Sequence, residues 1–449
     1  AIMLVWLILP TFNTAFEKQV ALDLTNSALW LGIVGLVLVT GFLSGSYPAL
    51  FLSGLQPVGI LKGVLRFGSG PATFRQALVV FQFSLSIFLI VSMLAVGRQM
   101  QYLRTKNLGL DRENVIYVPL EGEIAQPKKV EVFRRELMRL PAVASATTTM
   151  SLPIDVQGRS GDLNWPGKYP KLQTSVACMF VGGDFTRTMN IKLIGGRDFR
   201  TDSPADSTNY LINEATAKLM AKSAPGMKDP VGKEVTFWAG KGRVIGLMKD
   251  FHLNSLHQAI TPLVLCFDSR NTSYMLVRTQ AGQTQQAIVD LERLAKQFNP
   301  NYPFEYHFVD EAYEKLYKAE QQVNTLVNYF GLLAILISCL GLFGLAAFTA
   351  EQRTKEIGVR KALGASVASI VTLLSKDFLR LVVIALVLAS PLAWWAVSKW
   401  LGTFAYQTQL TLGIFGMAGL LALVIALLTV SFQSIKAALM NPVNALRSE

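Results

Sequence analysis

The residue types that most often ligate metals or move protons are few in this sequence: three histidines, His252, His257 and His307, and three cysteines, Cys178, Cys266 and Cys339. His252 and His257 stand five apart, which does not align them on one helix face, and no carboxylate cluster joins them. Metal ligation and acid–base catalysis are therefore disfavoured, and surface or turn positions are expected for the histidines. Cys339 falls inside an apolar run, which leaves Cys178 and Cys266 as the one candidate pair. Two free buried thiols are preferred over a bridge there. No Ser/His/Asp order sits in a nucleophile context, so catalysis is disfavoured. No glycine-rich phosphate loop of the Walker type occurs, so ATP binding by this chain is not supported. Gly182-Gly183-Asp184 and Gly195-Gly196-Arg197 read as turns.

What remains is a charged segment, Glu351–Ala365 (EQRTKEIGVRKALGA), lying between the apolar runs 325–350 and 381–398. Read as a helix, it places Ile357, Lys361 and Gly364 along one side and Arg353, Glu356 and Arg360 along another. Glu351 and Lys355 stand four apart, as do Glu356 and Arg360, a spacing that weakly supports an exposed helix. Two readings stand beside each other. One is a positive-inside loop held to anionic lipid. The other is a docking element for a cytoplasmic partner, which the interspersed glutamates and small residues favour.

The elements around that segment are membrane spans. The chain has 449 residues, of which 51% are hydrophobic and only 16% charged, with positive mean hydropathy. Ordinary soluble proteins carry about a quarter of charged residues, so this chain is too apolar to be one. The net charge of +12 comes without a dense Lys/Arg run interleaved with aromatics, which argues against nucleic acid as a partner. Basic loops flanking spans account for it. Ala1–Pro10 is apolar without a basic start, so it reads as the tail of a span rather than a signal peptide. On that reading the chain is the C-terminal portion of something longer. Five further apolar runs are long enough to cross a bilayer core, which takes about 20 residues.

The expected fold is therefore an α-helical polytopic membrane protein, five full spans plus one partial, with an inserted α+β domain. Residues 1–62 hold the partial span, a short outer loop and one full span. A linker follows over 63–76, then a span over 77–97, the inserted domain with its stalk over 98–322, and a span over 323–350. The charged segment takes 351–376, two spans take 377–435, and a tail closes the chain over 436–449. Within the domain, strands are expected at Asn114–Leu120, Val176–Val181, Asn209–Ile212, Val235–Trp238, Arg243–Met248, Ser273–Arg278 and Phe304–Phe308. Helices are expected at Lys128–Leu140 and Thr284–Phe298. Glu311–Asn328 is expected to run unbroken into the following span as a stiff stalk. The linker 54–76, the segment 351–380 and the tail are net positive, which puts them in the cytoplasm and the domain on the far side. Trp394, Trp395, Trp400, Phe404 and Tyr406 read as an interfacial belt.

Residues 41–62 and 428–447 share a pattern: a span end, a small-residue helix, then Pro-Val-x-x-Leu and a basic residue, Lys62 or Arg447. The first half reads as a degenerate copy of the second. On these residues the chain resembles a known family. Glu351–Ala365 and the closing Pro442–Arg447 are similar to motifs of FtsX-like permeases of the macrolide-exporter (MacB) type. Gly196-Arg-Asp-Phe199, Leu211-Ile-Asn213 and Val244–Phe251 resemble that family's periplasmic core domain. The likeness covers 77–449 as one permease unit, with 1–62 as the end of a preceding one, a duplicated arrangement.

The resemblance implies a type VII ABC permease in a bacterial inner membrane, with ATP bound by a cytoplasmic ATPase partner and no cofactor in this chain. Closure of the ATPase pair would be relayed through spans and stalk to the periplasmic domain. Export of a macrolide, peptide or lipoprotein is implied, or else control of a cell-wall hydrolase or sensor without transport. A dimer or pseudo-dimer of permease units and a periplasmic adaptor or effector are the other partners it implies, besides membrane lipid. In the charged segment, Arg353, Glu356, Arg360 and Lys361 would make polar contacts to the ATPase. Ile357 and Leu363 would pack, and Gly358, Gly364 and Ala365 would allow close approach or a turn.

Overall fold

The computed structural model describes residues 2–53, 70–200, 203–224, 227, 229–238 and 240–439. The expectations that concern the basic linker up to residue 69 and the closing motif Pro442–Arg447 lie outside the described residues. In chain order the elements begin with α1 (Ile2–Phe16), α2 (Ser27–Ser53) and α3 (Gly70–Thr105). The next run is β1 (Val115–Pro119), α4 (Pro127–Leu137), β2 (Val143–Thr149), β3 (Arg159–Ser160), β4 (Val176–Val181), α5 (Phe185–Thr188) and β5 (Leu193–Gly196). It continues with β6 (Tyr210–Asn213), α6 (Glu214–Ser223), β7 (Glu234–Phe237), β8 (Gly240–Met248), β9 (Leu263–Phe267), β10 (Tyr274–Thr279), α7 (Thr284–Phe298) and β11 (His307–Phe308). The chain ends in helices: α8 (Val309–Lys315), α9 (Lys318–Gln352), α10 (Thr354–Ala362), α11 (Val367–Leu401) and α12 (Leu412–Ala438).

The chain divides into two units. One comprises Ala1–Leu94, Gln322–Trp395 and Thr411–Glu449. Hydrocarbon offers backbone amides no partner, so an apolar chain crosses it only with every amide bonded internally, as in a helix. Among the described residues, four helices are long and apolar enough to do so, over Thr73–Thr105, Lys318–Gln352, Val367–Leu401 and Leu412–Lys436. The span expected at Ala28–Ser53 lies in α2, whose described apolar stretch, Ser27–Phe42, is shorter than that. The expected count of five plus one is thus not reached by length and composition among the described residues. Small side chains face inward on these helices: Ala385, Ala389 and Ala393 on α11 and Ala418, Ala422 and Ala426 on α12 are buried. Between α3 and α9 the contact is polar. Ser86 Oγ meets Ser338 Oγ at 2.8 Å, and a Cβ added to Gly341 would stand 2.5 Å from the Gln82 amide oxygen.

The other unit comprises Ala95–Gln321 and Ala396–Leu410. It is built on one mixed sheet in the order β11-β1-β10-β2-β4-β9-β6-β8-β5, with β3 beside β4 and β7 beside β8. At one end of the sheet, α4 and α7 cover β1, β10 and β2. Phe133, Leu137 and Leu291 are completely buried there, with Ile116 and Val277. At the other end α6 packs with β4, β6, β8 and β9 around Tyr210, Ile212, Met220 and Val264. The expected α+β domain is this unit. Strands β2, β3, β5 and β9 and helices α5 and α6 had no counterpart among the expected elements. The expected unbroken stalk helix from Glu311 is interrupted: α8 ends at Lys315 and α9 starts at Lys318. In the gap the Tyr317 hydroxyl accepts the Leu256 amide at 2.7 Å, and burial pushes that phenol's pKa well above its usual value.

The sequence motifs turn out to build this unit's interior. Gly196 has φ +70°, and a Cβ there would fall 2.1 Å from the Ile245 carbonyl oxygen. Gly246 opposite would place a Cβ 2.4 Å from the Arg197 carbonyl oxygen, so both strands approach too closely for a side chain. Arg197 forks onto the fully buried Asp206 at 2.6 and 2.8 Å. Phe199 stacks on Phe267, centroids 5.4 Å apart. Asn213 is buried and accepts the Thr216 and Leu263 amides while donating to the Thr261 carbonyl at 3.0 Å. It therefore caps α6 and ties it to β9.

Two predictions follow from these contacts. Gly246→Ala forces a backbone shift, with an expected cost of about 1–3 kcal/mol, read as a lowered thermal midpoint of the extramembrane transition. Arg197, with the Arg200 amide and Asn209, holds the Asp206 carboxyl down to about 2, against 3.8 when unconstrained. A depressed carboxylate contributes stability above the unfolded value and loses it as pH falls through the folded one. The extramembrane transition should therefore lose about 2 kcal/mol between about pH 4 and pH 2. Asp206→Asn should remove that acid step.

Candidate docking site

The charged segment is a short helix held between two turns. α9 ends at Gln352, Arg353 leaves the helix (φ −95°, ψ 12°), and α10 then runs Thr354–Ala362. The continuous helix expected from Glu351 onward is therefore broken at Arg353. Thr354 Oγ1 donates back to the Glu351 carbonyl at 2.7 Å, filling an acceptor left open at the break. At the other end Gly364 takes φ +92°. The Ala365 amide bonds the Arg360 carbonyl and the Gly364 amide the Lys361 carbonyl, both at 3.0 Å. This is the left-handed glycine stop that satisfies orphan carbonyls, so Gly364 serves a turn. Ser366 then caps α11 by accepting the Ser369 amide at 3.2 Å.

One side of α10 is committed to its own chain. Ile357, only 5% exposed, packs with Ile370, Leu374 and Ala438. Gly358 beside it is buried, and Ala365 lies against the same cluster. Lys361 Nζ donates to the Ala438 carbonyl at 2.7 Å, a cation at the C-terminal end of α12. Arg353 Nη2 pairs with Asp377 at 3.1 Å. The expectation gave Arg353 and Lys361 to polar contacts with a partner and Ile357 to packing against one. In the structure these three side chains also contact their own chain: Ile357 packs on α11 and the end of α12, Lys361 bonds the end of α12, and Arg353 pairs with the exposed Asp377 of α11.

The other side is open. Leu363 is 82% and Val359 48% exposed. Glu356 and Arg360 pair at 2.8 Å and are both 44% exposed. Leu363, Arg360 and Glu356 were expected at a contact surface and are outward. Val359 was missed, although it stands four before Leu363 and so shares its side of the helix. An i,i+4 aliphatic pair beside an i,i+4 ion pair was the signal.

Elsewhere, the residues first weighed for chemistry have other roles. Among the described residues no cluster of three or more His, Cys, Asp or Glu side chains could hold a metal ion. His252 is not at the surface: it is buried edge-on to Tyr406, and desolvation together with Lys106 pushes it down to about 4. Cys178 and Cys266 are free and buried on the adjacent parallel strands β4 and β9. Burial pushes the first thiol up to about 11 and the second to about 12, which leaves both unreactive. Trp394 and Trp395 are exposed as a belt requires, but Phe404 is buried in the domain unit, a correction that follows from its stacking on His257.

The geometry thus describes a polytopic membrane protein with a large inserted α+β domain and a charged helix anchored on one side. Residues 77–294 match the MacB-like periplasmic core domain, and residues 328–442 match the FtsX-like permease C-terminal domain. Together the two matches give this chain the domain content of an FtsX-like permease of the MacB type. It is 25% identical over 208 residues to the macrolide export ATP-binding/permease protein MacB of Sodalis glossinidius, covering 44% of this chain and 32% of that one. It is likewise 25% identical over 311 residues to the pyoverdine export ATP-binding/permease protein PvdT of Pseudomonas syringae, covering 65% of this chain and 45% of that protein. The chain therefore spans a third to under half of the length of these relatives. The crystal structure of the periplasmic region of MacB from Actinobacillus actinomycetemcomitans aligns at 19% identity and a TM-score of 0.32, covering 47% of this chain and 97% of that one.

The anchoring of α10 gives a direct test. Ile357→Ala should cost about 2 kcal/mol of local packing and raise the rate of tryptic cleavage at Lys355 and Arg360. Leu363→Ala should leave that rate unchanged, because its side chain touches little of its own chain.

Proposed function

We propose that this chain is the membrane permease of an ABC exporter in a bacterial inner membrane, driven by a separate ATPase that binds ATP. The observation that carries the reading is the divided helix α10: Ile357 and Lys361 fix it from behind, and Val359, Leu363, Glu356 and Arg360 face outward. A partner docking on that outward side would gain two aliphatic side chains and an ion pair that can re-form across an interface. A push on the docked helix would pass into α9 and α11, which flank it in the chain. Both run 35 residues, about 52 Å at 1.5 Å per residue, well beyond a hydrocarbon core of about 30 Å. Such helices reach past the membrane on at least one side and are suited to carrying motion to the inserted domain. The relatives named as exporters of macrolides and pyoverdine support export as the outcome. An ATPase pair would be matched by two permease units, as a dimer or pseudo-dimer.

Arg360→Glu reverses the outward charge without touching the anchor. Full-length permease carrying it should insert in the membrane normally yet lose co-purification of its ATPase. Leu363→Ala should weaken co-purification by roughly tenfold. Unchanged co-purification in both variants would defeat the docking assignment.

A further inference from the structure

His257 lies where three separate segments of the domain unit meet: the loop after β8, the first turn of α9, and the turn between α11 and α12. Its Nε2 stands 2.8 Å from Glu320 Oε1, and its Nδ1 stands 3.0 Å from the Thr403 carbonyl oxygen. Both neighbours are hydrogen-bond acceptors. A neutral imidazole has one N–H, so it can serve one of them and must turn a lone pair on the other. An imidazolium serves both. The ring also lies flat over Phe404, centroids 4.0 Å apart and planes 21° apart, which adds attraction for a cation. Glu320 Oε2 is buried with no hydrogen-bond partner, so the carboxylate depends on this contact for its charge compensation.

We infer that His257 is a proton-controlled latch that ties the inserted domain to the start of α9 and to the turn at Thr403 and Phe404. Protonated, the imidazole bridges all three segments. Deprotonated, it keeps one N–H, which the Glu320 carboxylate takes as the stronger acceptor, so the Thr403 carbonyl is released and the turn is freed. Tyr317, stacked at 6.4 Å, has its phenol pushed further up by burial. His252, on the same loop and edge-on to Tyr406, is held down to about 4 and stays neutral. The latch faces the side of the membrane that holds the domain, so it would respond to acidity there. It does not depend on how α10 is used.

Hydrogen exchange on the full-length protein in lipid nanodiscs, corrected for the intrinsic pH dependence, tests this. Between about pH 5 and about pH 8, the span over which imidazoles titrate, protection of the 402–408 amides should fall on the order of tenfold. His257→Gln should be poorly protected at both ends of that range. Glu320→Gln should be well protected at both, because its amide can donate to Nε2 while Nδ1–H serves Thr403 from a neutral ring. A wild-type response that is flat with pH would overturn the latch, and so would a step that persists in either variant.

Discussion

Hydrocarbon has no hydrogen-bonding partner for a peptide group, and that single constraint arranges the whole chain. The apolar runs must be helical, and every turn, charge and strand must fall between them. Polar side chains that enter the spans follow the same rule at smaller scale. Ser86 and Ser338 bond one another, and the Gln82 amide lies against the bare backbone of Gly341. The domain unit obeys the same logic with different partners. Three of its buried polar groups, Asp206, Asn213 and Thr216, sit within hydrogen-bond networks. A buried polar group without a partner costs about 1–3 kcal/mol, so these networks fix geometry more than they add stability.

The span-and-domain order was legible because the signals are long. Uninterrupted apolar runs, a shift to charged and turn-forming residues, and strongly amphipathic helices such as α7 survive any local ambiguity. Val176–Val181 was placed to the residue, since it is a continuous apolar run between turn residues. β2 was missed for the opposite reason: Val-Ala-Ser-Ala-Thr-Thr-Thr has neither alternation nor bulk, and its burial comes from β10 and β4 on either side. β5 was missed because a run ending in Gly195-Gly196 reads locally as a turn, and only pairing with β8 makes it a strand. The break at Leu316 and Tyr317 has no Gly or Pro to announce it. A tertiary hydrogen bond to Leu256 decides it, which no local pattern contains.

The docking segment shows a subtler limit. Its helical spacing was readable, and so was its position between spans. Which of two aliphatic residues faces home was not. Ile357 and Leu363 are equally apolar, and only the arrival of α11 and the end of α12 buries the first and leaves the second in the open. The histidines repeat the lesson in polar form. Five residues apart on one loop, His252 is sealed against Tyr406 while His257 bridges two acceptors. Residue type names the available chemistry, and the neighbours brought from distant sequence decide whether it is used.

The paired contacts between α3 and α9 have a consequence for how such a chain can vary over generations. Gln82 and Ser86 stand four apart on one helix, and Gly341 and Ser338 three apart on the other, so two rungs cross the same face. Two rungs fix rotation and axial offset together. Substituting a lipid-facing leucine in these helices changes little, whereas inserting or deleting one residue between the rungs turns the remainder by about 100° and slides it about 1.5 Å. The lengths of these two segments should therefore tolerate change far less than their letters do.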